Sequence, residues 1–188
     1  MRKNPLQLML AAAVCALPLT LTACVDDGVP APIPPVENVI DIDWLDMLPE
    51  SDGIFELTAA ERAFYDEFIR TGDTSVLYGA DPVSIIKLSV QAAIDGNFEH
   101  EFYLFHPDTI GDMTLEDHLP PPDAPPEFAG TPEFRQRMAD LFFWRIDEGE
   151  LELDGGRARI SFYTDSGEPM TLGARLNEDG VWLVEHWS

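Results

Sequence analysis

The pattern of apolar and polar residues from position 54 onward has helical spacing first and strand spacing later. Thr58 and Glu61 have the spacing of a capping box, in which each side chain satisfies a free backbone N–H at the start of a helix. Apolar residues one turn apart follow, and Gly72 is a natural stop because glycine readily adopts the left-handed conformation of a helix end. The pattern predicts a helix over 58–71.

Further helix starts and stops follow in the same part of the chain. Asp81 as N-cap and Pro82 at the first helical position predict a second helix that ends at Gly96. A short third helix is predicted over 97–105, and a fourth from Pro132 to about residue 146. The apolar stripe predicted for the second helix consists of Val83, Ile86, Val90 and Ala93.

From residue 150 onward the apolar residues alternate with polar ones, which is typical of half-buried strands. Leu151 and Leu153 begin this pattern, and glycine-containing turns interrupt it at 154–156, 165–167 and 177–180. The pattern predicts four antiparallel strands with one apolar face. Helices followed by a run of strands indicate an α+β fold, with the helices packed on one face of the sheet.

The first residues have the features of a targeting signal rather than of a folded segment. Arg2 and Lys3 precede the apolar stretch 6–21, and no acid occurs before Asp26. The stretch is short for a membrane span and has the length of a signal core. It ends in Leu-Thr-Ala-Cys at positions 21–24.

This ending resembles the lipobox of bacterial lipoproteins. The resemblance implies cleavage after Ala23 and a diacylglyceryl group on Cys24, which would become the new N-terminus on the extracytoplasmic side of the cell membrane or outer membrane. Two acyl chains anchor a protein stably, whereas one chain binds only marginally. The alternative is an ordinary secretory signal with a cysteine at this position.

Charge and cysteine content narrow the classes of partner. Because Arg2 and Lys3 leave with the predicted signal 1–23, 9 bases remain against 35 acids, a net charge of −26. Such a chain repels nucleic acid, so nucleic-acid binding is excluded. With Cys15 removed and Cys24 lipidated, no thiol remains for disulfides or catalysis.

Residues 24–53 are predicted to form a tether and an arm ahead of a single domain over 54–188. Four prolines between 30 and 35 favour polyproline II in the tether, whose residues 25–38 could reach about 40 Å. In residues 39–48, Ile40, Ile42 and Trp44 alternate with acids. This segment is interpreted as an arm docked on the domain or, alternatively, as a partner-binding segment.

The layout of the domain is similar to the NTF2-like (cystatin-like, cone-shaped α+β) family. Two stretches carry the resemblance. One runs from Asp81 to Phe98 and contains Ala-Ala-Ile-Asp-Gly-Asn-Phe, and the other is Leu-Asn-Glu-Asp-Gly-Val-Trp-Leu-Val at 176–184. The resemblance implies a cone whose concave side forms a pocket. The candidate pocket residues, chosen from aromatic positions on that side, are Tyr103, His106, Trp144, Phe162 and Trp182.

Two further groups of residues are considered as possible binding sites for an anion or a metal ion. Arg157 and Arg159 on one strand face could contact an anion, or could balance nearby acids. His100 and His106 lie beside acids, but their spacing does not place them on one helix face, so no metal site is predicted. No catalytic residue and no cofactor are predicted.

Three functional hypotheses follow. The first is a non-catalytic envelope lipoprotein whose NTF2-like module binds a small ligand, a peptide or another envelope protein. The second is a small acid/base enzyme of the isomerase or dehydratase type, which would need a tyrosine beside a protonated acid in the cone pocket. The third is an acidic arm that binds divalent cations, which the domain then senses.

Overall fold

A computed structural model of the chain describes residues 48–121 and 130–185. The predicted order of helices followed by strands is confirmed. The helices are α1 Ala59–Thr71, α2 Pro82–Asp95, α3 Phe98–Tyr103, α4 Pro107–Ile110, α5 Leu115–His118 and α6 Pro132–Phe143, with 3-10 turns at Thr74–Leu77 and Ile146–Glu148. The strands are β1 Glu150–Asp154, β2 Arg157–Tyr163, β3 Pro169–Leu176 and β4 Trp182–Glu185.

Several sequence predictions fall on residues outside those ranges. These are the signal 1–23, the lipidated Cys24, the tether, the arm over 39–47, the part of the proline-rich loop at 122–129, and His186.

The predicted helix ends are confirmed at α1 and α2. The side chain of Thr58 accepts from the Glu61 N–H, and the Glu61 carboxylate accepts from the Thr58 N–H at 2.6 Å. The left-handed Gly72, at φ 67°, ends α1. Asp81 accepts from the Ser84 N–H at the start of α2, and its end is the left-handed Gly96.

The stripe predicted for α2 is correct at Ile86 and Val90, which are buried, but it is incomplete because the helix is buried on more than one side. Val83 and Ala93 are only half-buried, whereas Ile85, Leu88 and Ala92 are fully buried. The helix packs on β3 and β4 on one side and meets α1, α3 and α6 on others. A single stripe describes a surface helix, and α2 is the central helix of the core.

The sheet is an antiparallel meander in the order β1-β2-β3-β4, as predicted. Along β2, Ala158, Ile160 and Phe162 are buried while the residues between them are exposed. Arg157 and Arg159 therefore lie on the outer face, away from the helices. The helices cover only the apolar inner face, which fixes the fold class as α+β.

The expectation that Leu151 and Leu153 would be buried with this inner face is wrong. They lie opposite Ile160 and Ala158, which are buried, yet they are 41% and 63% exposed. The register places the leucines on the inner face, but α2 is centred on β3 and β4, on the far side of the sheet. Strand β1 therefore extends past the helical layer.

Within residues 48–121 and 130–185, none of the helices has the length and apolar character needed to cross a membrane.

Candidate functional site

The structure does not gather the five predicted pocket residues around one cavity. Trp144 lies at the end of the sheet that carries the β2–β3 turn, where it contacts Gly53. Trp182 pairs with Leu176 at the opposite end, about 20 Å away along a seven-residue strand. Phe162 is 5% exposed and belongs to the core.

The two remaining pocket candidates lie beside the edge of the sheet formed by β4. Tyr103, at the end of α3, is 42% exposed. His106 is buried, its backbone N–H donates to the Val184 carbonyl at 2.8 Å, and its Nδ1 accepts from the Asp108 N–H at 3.2 Å. His106 therefore caps the start of α4 and helps to hold that segment against β4.

The two candidate anion contacts are each paired with an acid. Arg157 Nη2 lies 3.3 Å from Glu185 Oε1, and Arg159 Nη1 lies 4.0 Å from Glu152 Oε2. Both arginine side chains are more than half exposed. The geometry favours charge balance across the outer face of the sheet over a clamp for an anion.

Another histidine forms a side-chain pair that the sequence did not suggest. His118 Nε2 lies 3.3 Å from Glu101 Oε2, and both side chains are largely buried. The imidazole packs against the rings of Phe102 and Phe105. This pair joins α5 to α3. Among residues 48–121 and 130–185, no three potential metal ligands come together.

One tyrosine forms a hydrogen bond with a carboxylate, the contact that an acid/base enzyme would need. The Tyr65 hydroxyl lies 2.7 Å from Asp95 Oδ2 and accepts from Asn97 Nδ2 at 3.0 Å. Gln91 Nε2 donates to the other oxygen of Asp95 at 2.9 Å. Asp95 is exposed at the end of α2, so the pair joins α1 to α2 at the surface of the helical layer.

The segment before α1 is fastened to the domain through two backbone N–H groups and the Ser51 hydroxyl. The Ser51 hydroxyl donates to the Asp140 carbonyl at 3.0 Å, and the Phe55 N–H donates to the Asp140 carboxylate at 2.7 Å. The Asp52 N–H donates to Asp165 Oδ2 at 2.8 Å. We call residues 51–55 with Asp140, Trp144 and Asp165 the clasp.

Helix α6 supplies further contacts on both sides of the clasp. Gln136 Nε2 donates to the Phe55 carbonyl at 3.0 Å, and Arg137 Nε donates to the Pro49 carbonyl at 3.2 Å. The Phe55 side chain is 3% exposed and meets the Phe143 ring edge-on. The segment is therefore held by a core side chain as well as by hydrogen bonds.

Trp144, a predicted pocket residue, is the wall of the clasp. A β-carbon on Gly53 would lie 2.2 Å from the indole ring, so only glycine fits there. The Arg145 guanidinium covers the same ring at 4.7 Å from its centre. Of the three aromatic residues 142–144, Phe143 faces the core and Trp144 faces Gly53.

The electrostatics of the clasp centre on Asp165. The Asp52 N–H lowers the pKa of the Asp165 carboxyl below its usual value, and Arg145, whose Nη2 is 3.9 Å from Oδ1, acts in the same direction. Sequence reasoning missed Asp140 and Asp165, because their partners are more than 80 residues away along the chain.

A second buried polar cluster lies under the helices. Lys87 is 1% exposed, and its Nζ lies 2.9 Å from Glu61 and 2.8 Å from Asp147. Burial opposes ionisation of both Glu61 and Lys87. Lys87 and the Thr58 N–H nevertheless lower the pKa of Glu61, and the carboxylates of Asp147 and Glu61 raise the pKa of Lys87. In the sequence, this cluster could have been recognised from Lys87, a charged residue within the largely apolar stretch 85–90.

A shallow open groove runs along the exposed side of α6. Ile94 and Pro132 supply its apolar lining, and Glu133, Gln136, Arg137 and Asp140 supply its polar lining. The groove adjoins the clasp, since Gln136 and Asp140 contact Phe55 and Arg137 contacts Pro49.

Comparison of the chain with protein-family models, curated proteins and solved structures finds no match.

Proposed function

We propose that this chain is a lipid-anchored protein of the bacterial cell envelope, attached through Cys24 on the extracytoplasmic side of the cell membrane or outer membrane. We further propose that its domain is a non-catalytic module that binds a small ligand, a peptide or another envelope protein. The clasp is the observation that carries the proposal. The clasp packs the chain that follows the predicted tether against both layers of the domain, which suits a domain suspended from a membrane by its N-terminus.

The contacts of the clasp suit a domain that is held to a membrane through its N-terminal tether. The Ser51 hydroxyl and the backbone N–H groups of Asp52 and Phe55 are held by α6 and by the turn after β2. A pull on the tether therefore acts on both layers of the fold. The residues before the clasp carry the features of a spacer, with prolines that favour an extended chain. The lipobox-like sequence at 21–24 supplies the point of attachment.

A non-catalytic role is supported by the structural uses of ionisable side chains among the described residues. Arg157 and Arg159 pair with acids, and His106 caps a helix. Glu61, the most buried carboxylate of the network under the helices, is kept ionised by Lys87 and not protonated as a general acid would be.

For the fold we propose the NTF2-like type. A central helix packed on an antiparallel meander, with Trp182 in the last strand, supports this assignment. An experimental structure in which the sheet does not curve around the helices would refute it.

The anchor is tested by mass spectrometry of the protein purified from its native membrane, beside a Cys24→Ala variant. The expected mass is that of a chain beginning at residue 24 plus a diacylglyceryl group, with the variant released from the membrane fraction. An uncut chain, or an unmodified chain cut elsewhere, contradicts the proposal. The binding role is tested by crosslinking in the same cells, and a protein without any specific partner or ligand there contradicts it.

A further inference from the structure

The two edges of the sheet are treated differently by the fold. At the β4 edge, the segment that follows α3 covers the strand, with the Val184 N–H donating to the Leu104 carbonyl and the His106 N–H to the Val184 carbonyl, both at 2.8 Å. At the other edge, β1 pairs with β2 alone within the part of the chain that the structure describes. Alternate backbone groups of an edge strand point away from its neighbour and can pair with another strand.

The inner face of β1 is apolar and exposed. Leu151 and Leu153 project on the same side as the core residues opposite them, but they are 41% and 63% exposed. An added strand with apolar residues on this side would cover both leucines and extend the buried layer. Burial of apolar surface stabilises such an association by roughly 25 cal/mol per Å².

The outer face of β1 carries charge of one sign. Glu150, Glu152 and Asp154 project there, and all are exposed. On the β2 side, Asp154 lies opposite Arg157, and Glu152 lies opposite Arg159. Opposite charges on facing strands stabilise a sheet, so basic residues on the open side would give the acids of β1 cationic neighbours there as well.

The same charges disfavour two other occupants. An antiparallel pair of β1 strands from two copies of this chain, centred on Glu152, would place Glu152 opposite itself and Glu150 opposite Asp154. The chain's own segment 39–45 has acids between its apolar residues, and these would face the acids of β1. Like charges directly opposite each other destabilise strand pairing.

We propose that β1 is a docking edge for an extended segment of another protein in which apolar and basic residues alternate. The segment adds as a fifth strand, with its apolar side chains over Leu151 and Leu153 and its basic side chains beside the three acids. Main-chain hydrogen bonds supply affinity in this mode, and alternate side chains supply specificity. This inference rests on the proposed binding role and specifies its site and partner.

The test uses the full chain in mild detergent and three fluorescent nine-residue peptides. One alternates lysine with valine, one has the same composition in two blocks, and one alternates glutamate with valine. Binding is measured by fluorescence anisotropy and located by amide hydrogen exchange. We expect only the alternating basic peptide to bind, with new protection confined to residues 150–154 and affinity that falls as salt is added.

Two variants of β1 test the contributions of its inner and outer faces to peptide binding separately. Leu151→Ser with Leu153→Ser removes the apolar contact, and Glu150→Gln with Glu152→Gln and Asp154→Asn removes the charge. Each set should weaken binding at least tenfold. The matched control neutralises three exposed acids elsewhere, in Glu56→Gln, Asp66→Asn and Glu116→Gln, and should leave affinity within twofold. Circular dichroism establishes that each variant is folded.

Several results would overturn the proposal. They are failure of the alternating basic peptide to bind, equal binding of the block or acidic peptide, and protection outside β1. A dimer in ultracentrifugation that protects β1 would show that a second copy occupies the edge. Protection of β1 in the free chain that Ile40→Ser with Ile42→Ser removes would show that the arm occupies it. A partner crosslinked in cells at another surface would refute this inference alone and leave the proposed function standing.

Discussion

The indole ring of Trp144 lies against the backbone of Gly53, leaving no room for a β-carbon between them. The two residues are 91 positions apart, so the contact joins the start of the described chain to the end of α6. It places residues 51–55 between the helical layer and the β2–β3 turn. The clasp therefore makes the segment before α1 part of the domain's packing.

Replacement of Gly53 by alanine tests this packing. The added methyl group would lie 2.2 Å from the ring, so either Trp144 or the segment 51–55 must shift. Overpacking of this kind typically costs about 1–3 kcal/mol. We expect a lower urea midpoint with an unchanged slope and an altered tryptophan emission. Glu56→Ala, an exposed change in the same segment, is the control and should leave the midpoint unaltered. A Gly53→Ala chain as stable as the wild type would show that Gly53 does not pack against Trp144.

The bond between Asp52 and Asp165 should depend on pH. The pKa of Asp165 is lowered in the folded chain, so its contribution is fully present above the usual value for aspartate, about 3.9, and is lost as pH falls through the lower folded value. We expect carboxyl NMR to give a midpoint below 3.9. At neutral pH, Asp165→Ala should speed amide exchange over residues 51–55, whereas Asp66→Asn should not. A midpoint at or above 3.9 would mean that the Asp52 N–H does not hold the carboxylate.

Replacing one member of the buried pair Lys87 and Glu61 should lower the unfolding free energy strongly. Lys87→Met leaves Glu61 buried without its cation, and breaking a buried pair in this way typically costs about 3–5 kcal/mol. The double change with Glu61→Gln should recover part of the loss. Urea unfolding of the single and double variants gives the coupling between them. The exposed pair of Arg70 and Glu67 is the control, and its removal should have little effect. Additive single effects would contradict a direct Lys87–Glu61 interaction.

The successes and failures of sequence reasoning on the fold have one physical cause. Helix ends depend on residues three or four positions apart, so Thr58 with Glu61 and the glycine at 72 predicted α1 correctly. Whether an apolar residue is covered depends on distant elements. Leu153 has the strand period of a buried residue, yet the helical layer ends before it.

The candidate site was largely beyond sequence reasoning for the same reason. Asp140 and Asp165 are two of 35 acids, and nothing local distinguishes them from the rest. Trp144 was predicted as a pocket residue, but its partner is a glycine in a segment with no marked pattern. These residues are distinguished only by contacts with residues far away in the chain. Such contacts leave no local pattern in a single sequence.

Tyr65 supplies a prediction at alkaline pH. Burial raises the pKa of its hydroxyl well above the usual value of about 10, and the hydrogen bond to Asp95 raises it further. The stability that this group contributes is therefore fully present below about pH 10 and is lost as pH rises toward the folded value. We expect the unfolding free energy of the wild type to fall relative to Tyr65→Phe above pH 10. At neutral pH the variant should be less stable by about 1 kcal/mol, because Asn97 and Asp95 lose a partner. Absorbance titration provides a second measurement, in which the wild type and the variant should coincide until the wild type unfolds. An additional tyrosinate in the folded wild type near pH 10 would mean that Tyr65 is accessible to solvent and that the joint between α1 and α2 opens in solution.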